Sequence, residues 1–260
     1  MFEGWSQQKL FRLVSGLGYE GVEIAPFTLA ESVDTLSASD RKTLRREADR
    51  CNIEIVGLHW LLASPPGLHI SHPDESVRQR TVEYLKELTT CCKDLGGKVM
   101  VFGSPKQRNV APGLSLQEAR ERAIGTFRQV LPSAERNDVT ICFEPLPSNE
   151  TDFVNTAAEA AEIIEALGHP NFQLHLDAKA MCAEQEPIAE IIGRYAPYLR
   201  HFHANDPNRR GPGFGELDFA PIMAALREAG YDGYVSVEVF DFSPDPETIA
   251  SKSIEYLKQF

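Results

Sequence analysis

Seven short, β-branched apolar runs alternate with amphipathic segments along the 260 residues. Each run ends on a polar or charged residue, and the strand-plus-helix units recur at a spacing that suits parallel strands joined by crossover helices. The length suits one large α/β barrel. Together these observations predict an α/β fold, a (β/α)8 TIM barrel formed as a single domain over residues 1–260, with strand 1 missing or truncated at the N-terminus.

The chain opens on a helix pattern, SQQKLFRLVSGLG (6–18), preceded only by MFEGW. In an eight-fold barrel that helix follows strand one. Either the chain starts at the end of that strand, or the barrel has a gap there, with its neighbours' edges covered by something else. The predicted strands then run GVEIAP (21–26), IEIVGLHWL (53–61), KVMVFG (98–103), VTICFEP (139–145), FQLHLDA (172–178), LRHFHAND (199–206) and YVSVEVF (234–240). Helices are predicted between and after them over 37–51, 76–96, 115–135, 155–168, 187–199, 218–230 and 245–260. Several begin at a Ser, Asp or Asn able to accept from the free amides of a first turn, and several stop at a glycine, as at Gly96, Gly168 and Gly230. LGYEGVEIAPF (17–27) echoes AGYDGYVSVEVFDF (229–242). This is what two units of one barrel should look like, and it places Glu23 and Glu238 at similar depths.

The formal net charge of −12 argues against a nucleic-acid partner, which would need a positive surface to displace counterions. No apolar run approaches membrane-spanning length, and the start lacks a signal-peptide pattern. Cys51, Cys91, Cys92, Cys142 and Cys182 have no metal-type spacing. Their odd number points to free thiols in a reducing compartment, the cytoplasm.

Barrel chemistry gathers at the C-terminal strand ends. Here the last four strands end at Glu144 (CFEP), Asp177 (LHLD), His203 (HFH) and Glu238 (SVEV). Any one of them alone reads as a solvated rim residue. Four consecutive strands delivering a ligand-type residue at the same end predict a metal site. Hard oxygens with one imidazole suit one divalent ion, Mn²⁺, Mg²⁺ or Co²⁺, with zinc fitting less well. His175 and His201 lie two residues earlier on the same strand faces, as deeper, hydrogen-bonded core or supporting groups.

With these residues in view, the chain resembles the xylose isomerase-like TIM barrel superfamily over almost its whole length. The motif order is similar to the D-tagatose 3-epimerase type, alongside hydroxypyruvate isomerases and inosose dehydratases: FEP, then LD, then a histidine followed by N-R and a Gly-rich loop, then VE. The resemblance implies that Glu144 and Glu238 are the acid/base pair as well as ligands. One would remove a proton beside a carbonyl and the other return one, with the metal stabilising an enediolate. It also implies that Glu150 and Arg209 contact substrate oxygens. The family's epimerases carry a histidine three residues after the strand-end Asp, where this chain has Ala180 with Lys179 beside it. That departure leaves a substrate contact missing, or taken over by Lys179. It also makes the DNA-repair activity of endonuclease IV a distant reading.

The loop GSPKQRN (103–109) adds Lys106, Gln107 and Arg108. With Lys179 and Arg209 they would form an anionic-substrate pocket. Trp5, Phe27, His59 and Trp60 would wall it. The leading expectation is a metal-dependent isomerase or epimerase acting on a ketose, sugar phosphate or related keto acid. The alternatives are a lyase on the same chemistry (a dehydratase, decarboxylase or keto-glycoside eliminase) and a non-catalytic small-molecule-binding barrel. The expected partner is a small sugar or keto acid, with no nucleic acid and no membrane; a homo-oligomer stays open.

Overall fold

The computed structural model describes residues 1–2 and 4–260. Among them, seven parallel strands form one sheet in sequence order. They are β1 (Gly21–Ile24), β2 (Glu54–Leu58), β3 (Val99–Phe102), β4 (Thr140–Phe143), β5 (Phe172–Asp177), β6 (Leu199–Ala204) and β7 (Val235–Val237). The helices are α1 (Gln7–Leu17), α2 (Ala38–Asp49), α3 (Glu75–Leu95), α4 (Leu116–Asn137), α5 (Ala157–Leu167), a four-residue α6 (Ala178–Met181), α7 (Ile188–Tyr195), α8 (Phe219–Glu228) and α9 (Pro246–Leu257). Every predicted strand is present, in shortened form. Glu144 and Glu238 each stand one residue past the last ladder position, and α6 has no counterpart in the predicted elements. None of the helices described is long and apolar enough to cross a membrane.

Local chemistry sets the helix ends. Ser37, Ser115 and Thr156 each close a reciprocal capping box with the acid three residues on. Gly18, Gly96 and Gly168 terminate α1, α3 and α5 in the left-handed conformation. Packing fixes the strands against the helices. Phe102, Phe127, Phe143 and Phe172 stack with ring centroids 4.8–5.8 Å apart, all fully buried, and lock α4 onto β3, β4 and β5.

Among the described residues the sheet does not close: β1 pairs with β2 and β7 with β6, and no strand lies between β1 and β7. A cavity of about 1580 Å³ opens along this seam, bordered by Phe2 and Trp5 on one side and by Glu23, Ser236 and Glu238 deeper in. Tyr234 spans part of the gap. Its hydroxyl donates to Glu54 Oε2 on β2 (2.9 Å), and its ring lies so close to Gly21 that a β-carbon there would sit 3.2 Å from it. The predicted gap is present, and side chains rather than backbone bonds bridge it.

Gly57 on β2 pairs with Glu23 of β1 on one side and Val99 of β3 on the other. A β-carbon at 57 would fall 2.0 Å from the Val99 carbonyl oxygen, a backbone atom that cannot swing away. Gly57→Ala is therefore expected to force the strands apart, at a cost of roughly 1–3 kcal/mol. Thermal melting should show this as a loss of several degrees in Tm.

Candidate metal centre and active site

The register of the sheet assembles the site. Asp177 on β5 lies opposite His203 on β6, and His203 lies opposite Ser236 on β7. Because strand side chains alternate, His175 and Asp177, and likewise His201 and His203, project from one face into the barrel. Glu144, His175, Asp177 and His203 each present a ligand atom within 4.8 Å of the others, all buried. Glu238 joins through His203, with Oε2 3.1 Å from His203 Nδ1. Three of the four predicted ligands thus share one cluster with His175, and Glu238 stands beside it against His203.

Each is held by its surroundings. Asp177 caps α6, accepting from the Ala180 amide (2.7 Å), and its other oxygen accepts from Asn205 Nδ2 (2.5 Å). The Glu144 carboxylate fills the space that a side chain at residue 103 would take: a β-carbon on Gly103 would sit 2.3 Å from Glu144 Oε2. Glu238 Oε1 accepts from Trp60 Nε1 (3.0 Å) and lies 3.2 Å from His59 Nδ1. Trp60 adopts a left-handed φ of 55°, unusual for so bulky a residue, and this turns its indole N–H toward Glu238.

The electrostatics test whether a cation belongs here. Burial, then repulsion from Glu238 and Asp177, push the Glu144 carboxyl well above its ordinary range. Burial and Glu238 likewise raise Asp177 to about 6. Glu238 goes the other way: burial pushes it up, but His203 and then His59 hold it well below the usual carboxylate value. The cluster holds two imidazoles, His175 and His203, with Glu144 and Asp177, and both Glu238 and Glu23 contact His203. A divalent cation there would favour the ionised forms of Glu144 and Asp177, and the mixed carboxylate and imidazole donor set fits one.

Two groups at this centre had weaker signals in the sequence. Glu23, at the third position of β1, inserts its carboxylate between His203 Nε2 (2.7 Å) and His201 Nε2, in close contact with the latter. Only the echo between the chain's two VE-type strands pointed to its depth. His175, expected as a hydrogen-bonded core or supporting group, is fully buried with no hydrogen bond at either ring nitrogen, and it stands within the cluster with its Nε2 3.8 Å from Glu144 Oε1.

The predicted substrate contacts divide. Arg209, itself at a φ of 72°, lines the cavity with His59, Trp5 and Glu238. Trp5 packs edge-on to Phe2, with Lys9 over its ring. Lys179 does reach the mouth, but its ammonium is paired with Glu150 (2.6 Å) and lies 5.0 Å from the Phe240 ring centre. Arg108 corrects the expectation of a basic loop residue at the mouth. It is completely buried, donating to the Glu144 carbonyl (2.6 Å) and to the Val154 carbonyl (3.0 Å), which also accepts from the Leu146 amide. Lys106 is exposed on the same loop.

Comparisons with known proteins bear on the fold and the family. The chain is 29% identical over 198 residues to an L-ribulose 3-epimerase of Mesorhizobium japonicum, covering 76% of this chain and 67% of that enzyme. A D-psicose 3-epimerase of Ruminiclostridium cellulolyticum is 34% identical over 120 residues, 46% of this chain and 41% of that enzyme. Among solved structures, apo 3-keto-D-glucoside 4-epimerase from E. coli superposes with a TM-score of 0.87 at 21% identity, covering 100% of this chain and 96% of that one. The family profile described as "Xylose isomerase-like TIM barrel" matches residues 11–260, and the chain belongs to that family.

Proposed function

We propose that the protein is a divalent-metal-dependent sugar epimerase that moves a proton at the carbon beside a carbonyl of a ketose or keto-sugar. The observation that carries this reading is the convergence of Glu144, Asp177 and His203 in one buried cluster, with Glu238 against His203. Glu238 is held ionised by His203, His59 and Trp60, and Glu144 is driven toward its protonated form by burial and its acidic neighbours. Carboxyl groups whose environments push their proton affinities apart make an acid and a base. A purely binding barrel has no use for that split, and the related enzymes named above are epimerases. These features favour epimerisation over the lyase alternative.

Glu144, Asp177, His203 and Glu238 are the residues that would hold the ion, with Mn²⁺ our first choice. A bound divalent cation supplies Lewis-acid polarisation of the substrate's carbonyl and hydroxyl oxygens. The chain's own groups do the proton work. Glu238 accepts the substrate proton on one face, its carboxylate aimed by the Trp60 and His59 donors. Glu144 returns a proton from the other face, its position set by Gly103 and by the Arg108 bond to its backbone carbonyl. Arg209, at the cavity wall, is suited to a substrate hydroxyl.

Charge bears on the substrate. With Arg108 buried and Lys179 neutralised by Glu150, the basic cluster expected at the mouth shrinks to Arg209 and Lys106. This supports a neutral sugar over a sugar phosphate or keto acid. Phe27 and Trp60, 43% and 44% exposed and edge-on at 6.3 Å, offer apolar faces for a sugar ring. The five free thiols, three of them buried, support a reducing cytoplasmic setting.

Incubating metal-stripped protein with Mn²⁺ and a panel of ketoses, keto-acids and keto-glycosides in D₂O tests the reading. A C-epimerised product carrying solvent deuterium is expected, and an eliminated product would overturn it in favour of a lyase. Glu238→Gln should lower turnover by about 10²–10⁴-fold or more while the protein still takes up metal, though more weakly. Wild-type turnover by this variant would remove Glu238 from the chemistry. In Gly103→Ala the new methyl displaces the Glu144 carboxylate, so Mn²⁺ titration should show weaker binding, by about tenfold or more.

A further inference from the structure

We infer that Glu23 is a positioning residue for the metal centre, acting through His203 by holding its Nε2. The inference rests on the metal-centre reading above, and nothing in the family comparison assigns a role to this position.

The geometry is specific. Glu23 Oε2 lies 2.7 Å from His203 Nε2, while Oε1 contacts His201 Nε2, and the side chain is only 7% exposed. Ser236 Oγ lies 3.5 Å from both Glu23 Oε1 and His201 Nε2. The carboxylate is thus gripped from β6 and β7 while its backbone belongs to β1. A carboxylate at Nε2 keeps the proton on that nitrogen. The imidazole must then present its other nitrogen, Nδ1, on the opposite side, where Glu238 Oε2 stands 3.1 Å away. In the metal-free protein a proton on Nδ1 satisfies Glu238; a cation binding here would displace that proton to solvent, which would leave the Nδ1 lone pair and the Glu238 carboxylate to hold it together. This is the arrangement in which a ligating histidine is oriented by a carboxylate on its far nitrogen.

A purely structural role explains the choice of residue less well. The interior of such a barrel is ordinarily filled by branched aliphatic side chains, and a buried carboxylate among imidazoles carries a desolvation cost that an aliphatic residue would avoid. Leu or Ile would fill the seam beside β7. Only an acceptor fixes which nitrogen of His203 carries the proton.

The test measures Mn²⁺ binding by calorimetry on metal-stripped wild type, Glu23→Gln, His203→Gln and the double variant. Glu23→Gln, nearly isosteric, is expected to weaken Mn²⁺ binding by about 10–100-fold. In the His203→Gln background the same change should cost nothing more, because its effect passes through His203. Unchanged affinity in Glu23→Gln, or penalties that simply add in the double variant, would overturn the inference while leaving the metal centre standing. If wild type takes up no Mn²⁺, the metal-centre reading itself fails. Should Glu23→Gln not fold, ¹⁵N NMR of the histidine side chains in metal-free wild type still decides. A protonated, hydrogen-bonded His203 Nε2 supports the assignment, and an unprotonated Nε2 rejects it.

Discussion

His203 is the point on which the centre of this molecule turns. Its two ring nitrogens are each met by a carboxylate from a different strand, Glu23 from β1 and Glu238 from just past β7, and those strands are not hydrogen-bonded to each other. The imidazole therefore does two things. It spans the open wall of the barrel with charge-assisted bonds, and it holds Glu238 ionised. Burial lowers its own basicity, but Glu23 and Glu238 together hold it well above the ordinary histidine value. The reciprocal effect keeps both acids ionised.

The open seam gives this link added weight. In a closed barrel, ladder hydrogen bonds would carry the curvature through every strand pair. Here the ladder stops at β1 and β7, and the load passes to side chains: Tyr234 reaching Glu54, and Glu23 reaching His201 and His203. The cavity at the seam reaches Glu23 and Glu238 at the edge of the site, and is lined by Arg209 and Trp60 as well as by Trp5 and Tyr234. What closes the wall and what contacts a substrate are accordingly near neighbours.

Arginine and lysine placement shows how local context redirects a charge. Arg108 was available in sequence as a mouth residue, yet the backbone carbonyls of Glu144 and Val154 at a strand-end turn need donors. A planar guanidinium is well shaped to serve both. It braces the strand end that carries Glu144 and offers nothing to a ligand. Lys179 keeps its place at the mouth but spends its charge on Glu150.

By itself the sequence determined the order of strands and helices, the helix ends, and the four strand ends at which Glu144, Asp177, His203 and Glu238 stand. These follow from periodicity, capping chemistry and the rule that barrel strands deliver their chemistry at one end, all of which are local or topological. The tertiary structure alone decided the rest. That Glu23 meets His203 depends on β1 and β6 approaching across an unpaired seam, some 180 residues apart in the chain. That Trp60 aims at Glu238 depends on a left-handed backbone turn no residue type announces. That Arg108 turns inward, to the carbonyls of Glu144 and Val154, depends on which backbone groups the fold brings around it. Pairwise contacts of this kind are set by distance in space, and a one-dimensional pattern carries no record of them.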